Sequence, residues 1–300
     1  MSSVQLASPY REGLRWFKGN LHTHTTRSDG AREPEEVVRD YQARGYDFLA
    51  ITDHDILVEP EPYQHNTTMT LIPGVEVTAN GPHLLHINTS ERVPPHRDRQ
   101  DVLVEIAEQK NSFAVLNHPN WLAPLPGLHY THSNMRELSR YAGIEIYNGV
   151  IERLPGTALA TDQWDQLLSN DMRLWGYGHD DSHLAGDVEL AWNMVQAPES
   201  SASELVDSLR EGRFYVSTGI YIQSIAVSER TIRVITSNAT RIRFISRWGV
   251  IQDTLDSQAA EFTVPEDPDE ASILGYIRVE CYGGGSAMAW SQPLWIETGN

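Results

Sequence analysis

Histidines and carboxylates recur just after short apolar runs through the first 185 residues of this chain. An extended run at residues 16–22 leads into His22-Thr23-His24, with Asp29-Gly30 in the same loop. The run at 47–52 leads into Asp53-His54-Asp55. Glu76 lies within PGVEV at 73–77, and His83 and His86 follow it. The run at 112–117 leads into His118-Pro119, and the run at 173–177 into His179-Asp180-Asp181-Ser182-His183. Helix-like stretches at 34–45, 99–111, 134–141 and 157–169 separate these runs. The first has Pro34 near its start and Gly45 at its end, the expected asymmetry. Strands alternating with helices build βα units around a parallel sheet or barrel. The C-terminal ends of such strands converge on one face, so distant polar residues are gathered into one pocket.

The donor types narrow the chemistry. His22 and His24 are two apart on an extended chain and point the same way. Cys281 is the only cysteine, which excludes an intrachain disulfide and a cysteine zinc site. Imidazoles and carboxylates without thiolates suit Zn, Mn or Fe. More than six convergent donors exceed the needs of one ion, so two or three divalent metals are expected. Taken singly, a His-x-His or an Asp-His-Asp turn is ordinary; several placed together at strand ends are not. Glu76 in an apolar strand is the hardest to explain without a partner, because an unpaired buried carboxylate is costly. No Gly-x-Ser-x-Gly elbow supports serine catalysis.

Past residue 213 the pattern changes to short alternating runs at 214–217, 222–227, 231–236, 241–246, 260–264, 276–281 and 287–297. The expected division is a barrel over 1–213 and a small antiparallel β module over 214–300. Lys and Arg number 23 against 41 Asp and Glu, a net charge of −18. That balance predicts no nucleic-acid face and no anionic-membrane surface, since both need a basic patch. Bound cations would reverse the field locally and let an anionic small-molecule ester in. No apolar run reaches eighteen residues and residues 1–10 are polar, so a soluble cytoplasmic protein is expected. Oligomeric state is left open.

The ordered strings NLHTHTTRSDG (20–30), ITDHD (51–55), PGVEV (73–77), LNHP (116–119), GIEIYNG (143–149) and DSH (181–183) resemble the polymerase-and-histidinol-phosphatase (PHP) superfamily. LREGRFYVSTG (209–219) and AWSQPL (289–294) resemble its carbaryl-hydrolase branch, the CehA/McbA-like metallohydrolases. The resemblance implies a distorted (β/α)7 barrel with metals at its C-terminal face, followed by an antiparallel, sandwich-like module. It implies His22, His24 and Asp181 at a first metal, with Glu76 bridging to a second. His86, or His83, would complete the second with His118. Asp29, His54 and His183 would hold a third. A hydroxide bridging two metals would attack a small phosphate mono- or diester. The branch suggests carboxylic or carbamate esters as the alternative substrates; a degenerate, non-catalytic binding module is a second alternative.

Other residues enter by position. Arg27 lies between the paired histidines and Asp29 and is read as meeting the substrate anion. Asn148 follows a strand at the catalytic face and is read as orienting substrate or a ligand. His179 flanks the last motif as a further catalytic or ligand-orienting group. Trp121 and Tyr147 read as stacking or wall residues. Residues 120–133 read as a lid or specificity loop.

Overall fold

The computed structural model describes residues 4–122 and 129–299. Residues 123–128, the middle of the stretch read as a lid, lie outside them. Among the described residues, ten strands and six helices make the first part: β1 (Val4–Ala7), β2 (Arg15–Asn20), α1 (Pro34–Ala43), β3 (Phe48–Ile51), α2 (Glu61–Gln64), β4 (Thr70–Val77), β5 (Leu84–Ile87), α3 (Arg99–Glu108), β6 (Phe113–Leu116), α4 (His132–Glu137), β7 (Gly143–Asn148), α5 (Thr161–Ser169), β8 (Trp175–His179), β9 (Trp192–Ala197), α6 (Ala202–Arg210) and β10 (Phe214–Ser217). Every residue of β3, β5 and β6 is buried, as expected for barrel strands covered on both faces. Helix starts follow local chemistry. Asp98 accepts the Gln100 N–H before α3, Thr131 accepts the Asn134 N–H before α4, and Pro34 opens α1.

β2 to β8 form the seven-stranded barrel in sequence order. Pairing is parallel except at β5, which runs antiparallel to both β4 and β6. The six residues between β4 and β5 leave no room for a crossover helix, so these two strands make a hairpin. That hairpin is the distortion of the barrel. β8 is the last strand of the ordered path, and side-chain amides take the place of a ladder there. Asn193 of β9 accepts the Gly178 N–H at 3.2 Å and donates to Gly178 O at 2.9 Å. Gln292 does the same for Gly176, at 2.8 and 2.7 Å. At the rim, Thr23 bridges to Ser182.

The second part holds β11 (Ile222–Ser228), β12 (Thr231–Thr236), β13 (Arg241–Ser246), β14 (Val250–Leu255), β15 (Ala259–Thr263), α7 (Pro268–Leu274), β16 (Tyr276–Tyr282), β17 (Met288–Ser291) and β18 (Leu294–Thr298). Its pairings are all antiparallel. β10 joins it to the barrel, pairing with β9 on one side and β17 on the other. Three strands, β1, β9 and the largely exposed β14, were not legible from local pattern. β9 carries Asn193 and Gln196 inside a wholly buried strand and pairs with β2. β1 pairs with β18, so residues 4–7 sit in the module's sheet rather than in the barrel, where a 1–213 boundary puts them. Pairing between chain ends leaves no local trace.

Candidate metal centre

Glu76 is the hub. It lies next to the end of β4, 1% exposed, with its carboxylate inside the mouth of the barrel. His22 Nε2 is 3.3 Å from Glu76 Oε1 and His24 Nε2 is 3.5 Å from Oε2. His54 Nδ1 lies 2.7 Å from Oε2, and His83 Nδ1 and His118 Nε2 lie 3.2 and 3.4 Å from Oε1. Asn117 Nδ2 donates to Oε1 at 2.7 Å. Asp181 Oδ1 sits 3.2 Å from His22 Nε2 and 3.1 Å from His24 Nε2. A second group forms around Asp29: His54 Nε2 at 3.4 Å, His183 Nε2 at 3.4 Å and His24 Nδ1 at 3.7 Å.

Backbone pins hold these loops. Asp53 accepts the Thr25 and Ser28 N–H groups and both hydroxyls, tying the loop after β2 to the end of β3. Asp55 accepts from Thr78 and Ala79, so of Asp53-His54-Asp55 only the histidine joins the cluster. Asp180 takes the Glu189, Leu190 and Ala191 N–H groups and the Tyr41 hydroxyl; burial raises its pKa to about 6. Asp181 N–H donates to His22 O at 3.0 Å and His24 N–H to Ser182 O at 2.9 Å, which brings the loops after β2 and β8 together. His118 and Asp181 have φ of 30° and 52°, a left-handed backbone costly for such residues and held here by the surrounding contacts.

The donor set fits divalent cations. His22 Nε2, both nitrogens of His24, His54 Nδ1, Glu76 Oε2 and Asp181 Oδ1 are buried without hydrogen-bond partners. Buried polar atoms normally have one, and imidazole and carboxylate atoms that converge unpartnered have the arrangement of ligands. The electrostatics agree. Burial opposes charge on His22, yet Asp181, Glu76 and Glu145 raise its pKa well above the usual imidazole range. Burial likewise opposes charge on His54, but Glu76 and Asp29 push it up to about 11. His183 and His54 hold Asp29 far below the usual carboxylate range. The pocket demands positive charge, which protons or metal ions supply.

Glu145, in β7, has no role in the sequence reading. It is fully buried and takes four contacts: His22 Nδ1 and His179 Nδ1 on Oε1, each at 2.7 Å, and the His118 N–H and Asn148 Nδ2 on Oε2, at 2.6 and 2.8 Å. Burial raises its pKa, but His22 and His179 bring it down to about 2. As a carboxylate it accepts the Nδ1 proton of His22, which leaves Nε2 free to face the cluster. Glu145→Gln is therefore expected to weaken metal affinity about 10- to 100-fold, read by titrating metal into stripped protein. Unchanged affinity would refute this role. The signal was present in the chain: an acid inside an apolar strand, as at Glu76.

Two expectations are corrected. His86 is not in the cluster. It pairs with Val75 while Leu85 pairs with Glu76, so Glu76 shares a face with Leu85 and His83, and His86 points to the other. His86 is buried with both ring nitrogens unpartnered, and burial lowers its pKa to about 4. His83 takes its place beside Glu76. The unfolded chain binds a proton near pH 6.5 that folded His86 refuses until about 4. This contribution is present above 6.5 and falls by about 3 kcal/mol as pH drops through that window. His86→Leu is expected to keep metal content and to remove this acid sensitivity, measured by denaturant unfolding at pH 7 and 4.5. Metal loss in that variant would restore His86 as a ligand. Arg27 is also outside. It is exposed, and its guanidinium reaches the Tyr63 hydroxyl at 3.5 Å. Asn148 and His179 are buried and bond to Glu145, and Asn148 also donates to Asp181 Oδ2 at 3.1 Å, so both brace carboxylates at the cluster rather than face the cleft.

The cluster opens into a cleft of about 180 Å³ whose wall also includes Trp121, Val150, Ile151 and Leu154. Tyr147 packs instead near Trp290, at 5.8 Å. No helix among the described residues is long and apolar enough to cross a membrane.

Comparison with known proteins extends this picture. The PHP domain family model matches residues 20–216. A 5'-3' exoribonuclease of Haemophilus influenzae is 36% identical over 84 residues, 26% of this chain and 31% of that protein. The 5'-3' exoribonuclease Rnm of Escherichia coli is 34% identical over 103 residues, 32% of this chain and 35% of that protein. The chain thus spans about a third of the length of these curated relatives. A two-domain protein from Bacteroides vulgatus containing a predicted PHP-like metal-dependent phosphoesterase superposes with a TM-score of 0.58 at 17% identity. The match covers 97% of this chain and 90% of that one. The two exoribonucleases overturn the expectation of a small-molecule ester partner and no nucleic acid. Net charge sums the whole surface and carries no information on the field at one mouth of the barrel, where cations, if bound, would reverse it. The matched span contains every donor of the cluster, from His22 to His183, and the chain belongs to the PHP domain family.

Proposed function

We propose that this protein hydrolyses phosphodiester bonds of nucleic acid strands, RNA first among them. The observation that carries the reading is the convergence on Glu76 of five imidazoles, many of their ring nitrogens unpartnered and buried. The exoribonuclease names of the curated relatives supply the substrate class. His22, His24 and Asp181 would hold one divalent ion, His83 and His118 a second with Glu76 shared, and Asp29, His54 and His183 a third. Bound there, such ions supply Lewis acidity toward a phosphoryl oxygen and lower the pKa of water. The chain's own work is positioning. Glu145 sets the His22 tautomer, Asn148 steadies Asp181, and Asn117 orients Glu76.

The test uses the full chain stripped of metal and reloaded separately with Mn, Zn or Fe. Substrates are 5'-labelled RNA and DNA oligonucleotides, p-nitrophenyl phosphate and an aryl carbamate. Metal-dependent release of nucleotides from RNA is expected. Turnover of the carbamate alone, with intact oligonucleotides under every metal, would overturn the reading.

A further inference from the structure

Apart from the imidazoles, Trp121 is the only aromatic residue on the cleft wall among the described residues. It is half-buried, its indole 5.0 Å from the His118 ring and nearly perpendicular to it, and 5.6 Å from the His83 ring. Its backbone is fixed on two sides. Trp121 N–H donates to His118 O at 2.9 Å, Leu122 N–H to Pro155 O at 2.9 Å, and Thr157 N–H to Asn120 O at 3.2 Å. Gly156 allows this contact. Its φ is +124°, and a Cβ there would lie 2.2 Å from Asn120 O. Val150, Ile151 and Leu154 give the same cleft an apolar side.

Such a wall offers nothing to a bare phosphate, whereas a heteroaromatic ring beside the phosphate would stack on the indole and shed water against the aliphatic side chains. We infer that this apolar slot receives the base of the nucleotide whose phosphate reaches the cluster, with Trp121 as its stacking platform. The inference rests on the nuclease reading above. Because every base has a π-face, such a platform favours a base over none and tolerates any sequence.

The experiment compares wild type, Trp121→Ala and Trp121→Phe, metal-loaded, on two oligoribonucleotides. These are identical except that the terminal nucleotide at the cleaved end carries a base or is abasic. Wild type is expected to prefer the base-bearing strand by roughly tenfold or more in kcat/KM. In Trp121→Ala that ratio should fall to about one, mainly through KM and at unchanged metal content, and Trp121→Phe should recover much of it. Equal loss on both strands, metal loss in Trp121→Ala, or a wild type indifferent to the base would each overturn the platform. Wild type cleaving neither strand would sink the nuclease reading itself and the slot with it.

Discussion

Glu76→Gln is expected to reduce metal-supported turnover by on the order of a thousand-fold, the scale of losing a preorganised electrostatic contact. No other side chain in the cluster is approached by five imidazoles. The amide keeps the shape but removes the charge. Asn117 then donates toward a weaker acceptor, and cations bound as proposed would lose the carboxylate they share. Bound metal, read by elemental analysis, should fall together with kcat while the circular dichroism of the fold persists. Because His22 and His54 would then lose the nearby charge that raises their pKa, their protonation should also shift toward neutral. Full metal content and normal turnover in Glu76→Gln would remove Glu76 as the hub and with it the arrangement proposed for the ions.

The largest stability effect is expected far from this chemistry, where α5 of the barrel meets β16 of the module. Arg278 is 2% exposed; its Nε and Nη2 lie 2.8 and 2.6 Å from Asp165 and its Nη1 2.6 Å from Glu280. The Tyr276 hydroxyl donates to Asp165 Oδ1 at 2.8 Å, and the guanidinium stands 5.4 Å from the Trp164 ring. Burial opposes the charge on Arg278, but Asp165 and Glu280 hold it fully protonated. Asp165→Ala strands that charge, so a loss of about 3–5 kcal/mol is expected in denaturant unfolding. Adding Arg278→Met should recover part of the loss, because the buried charge is then gone as well. A single variant as stable as wild type would show that Glu280 alone suffices.

Much of the site was legible because two local rules suffice for it. Strand parity set His22 and His24 on one face, and the position of donors at strand ends put them at one mouth of the barrel. His54, His118, Asp181, His183 and Asp29 follow from the second rule. The choice between His83 and His86 did not follow from either. His83 precedes β5 and His86 lies within it, and the deciding fact is that Glu76 pairs with Leu85, one residue of register against β4. Arg27 failed for the opposite reason. Sequence adjacency to donors says nothing of direction in a loop, and its side chain leaves toward Tyr63. Charge misled over partner because a sum over all residues carries no position.

What the sequence by itself determined was the donor chemistry, the βα order that gathers it, and the change to alternating strands after residue 213. These depend on residue type and short-range periodicity, which act within one element. Only the tertiary structure decided that Glu145 sets the His22 tautomer, that His83 rather than His86 faces Glu76, and that β1 closes onto β18. Each of these depends on which strand lies beside which and in what register, and that is settled by contacts between residues far apart in the chain.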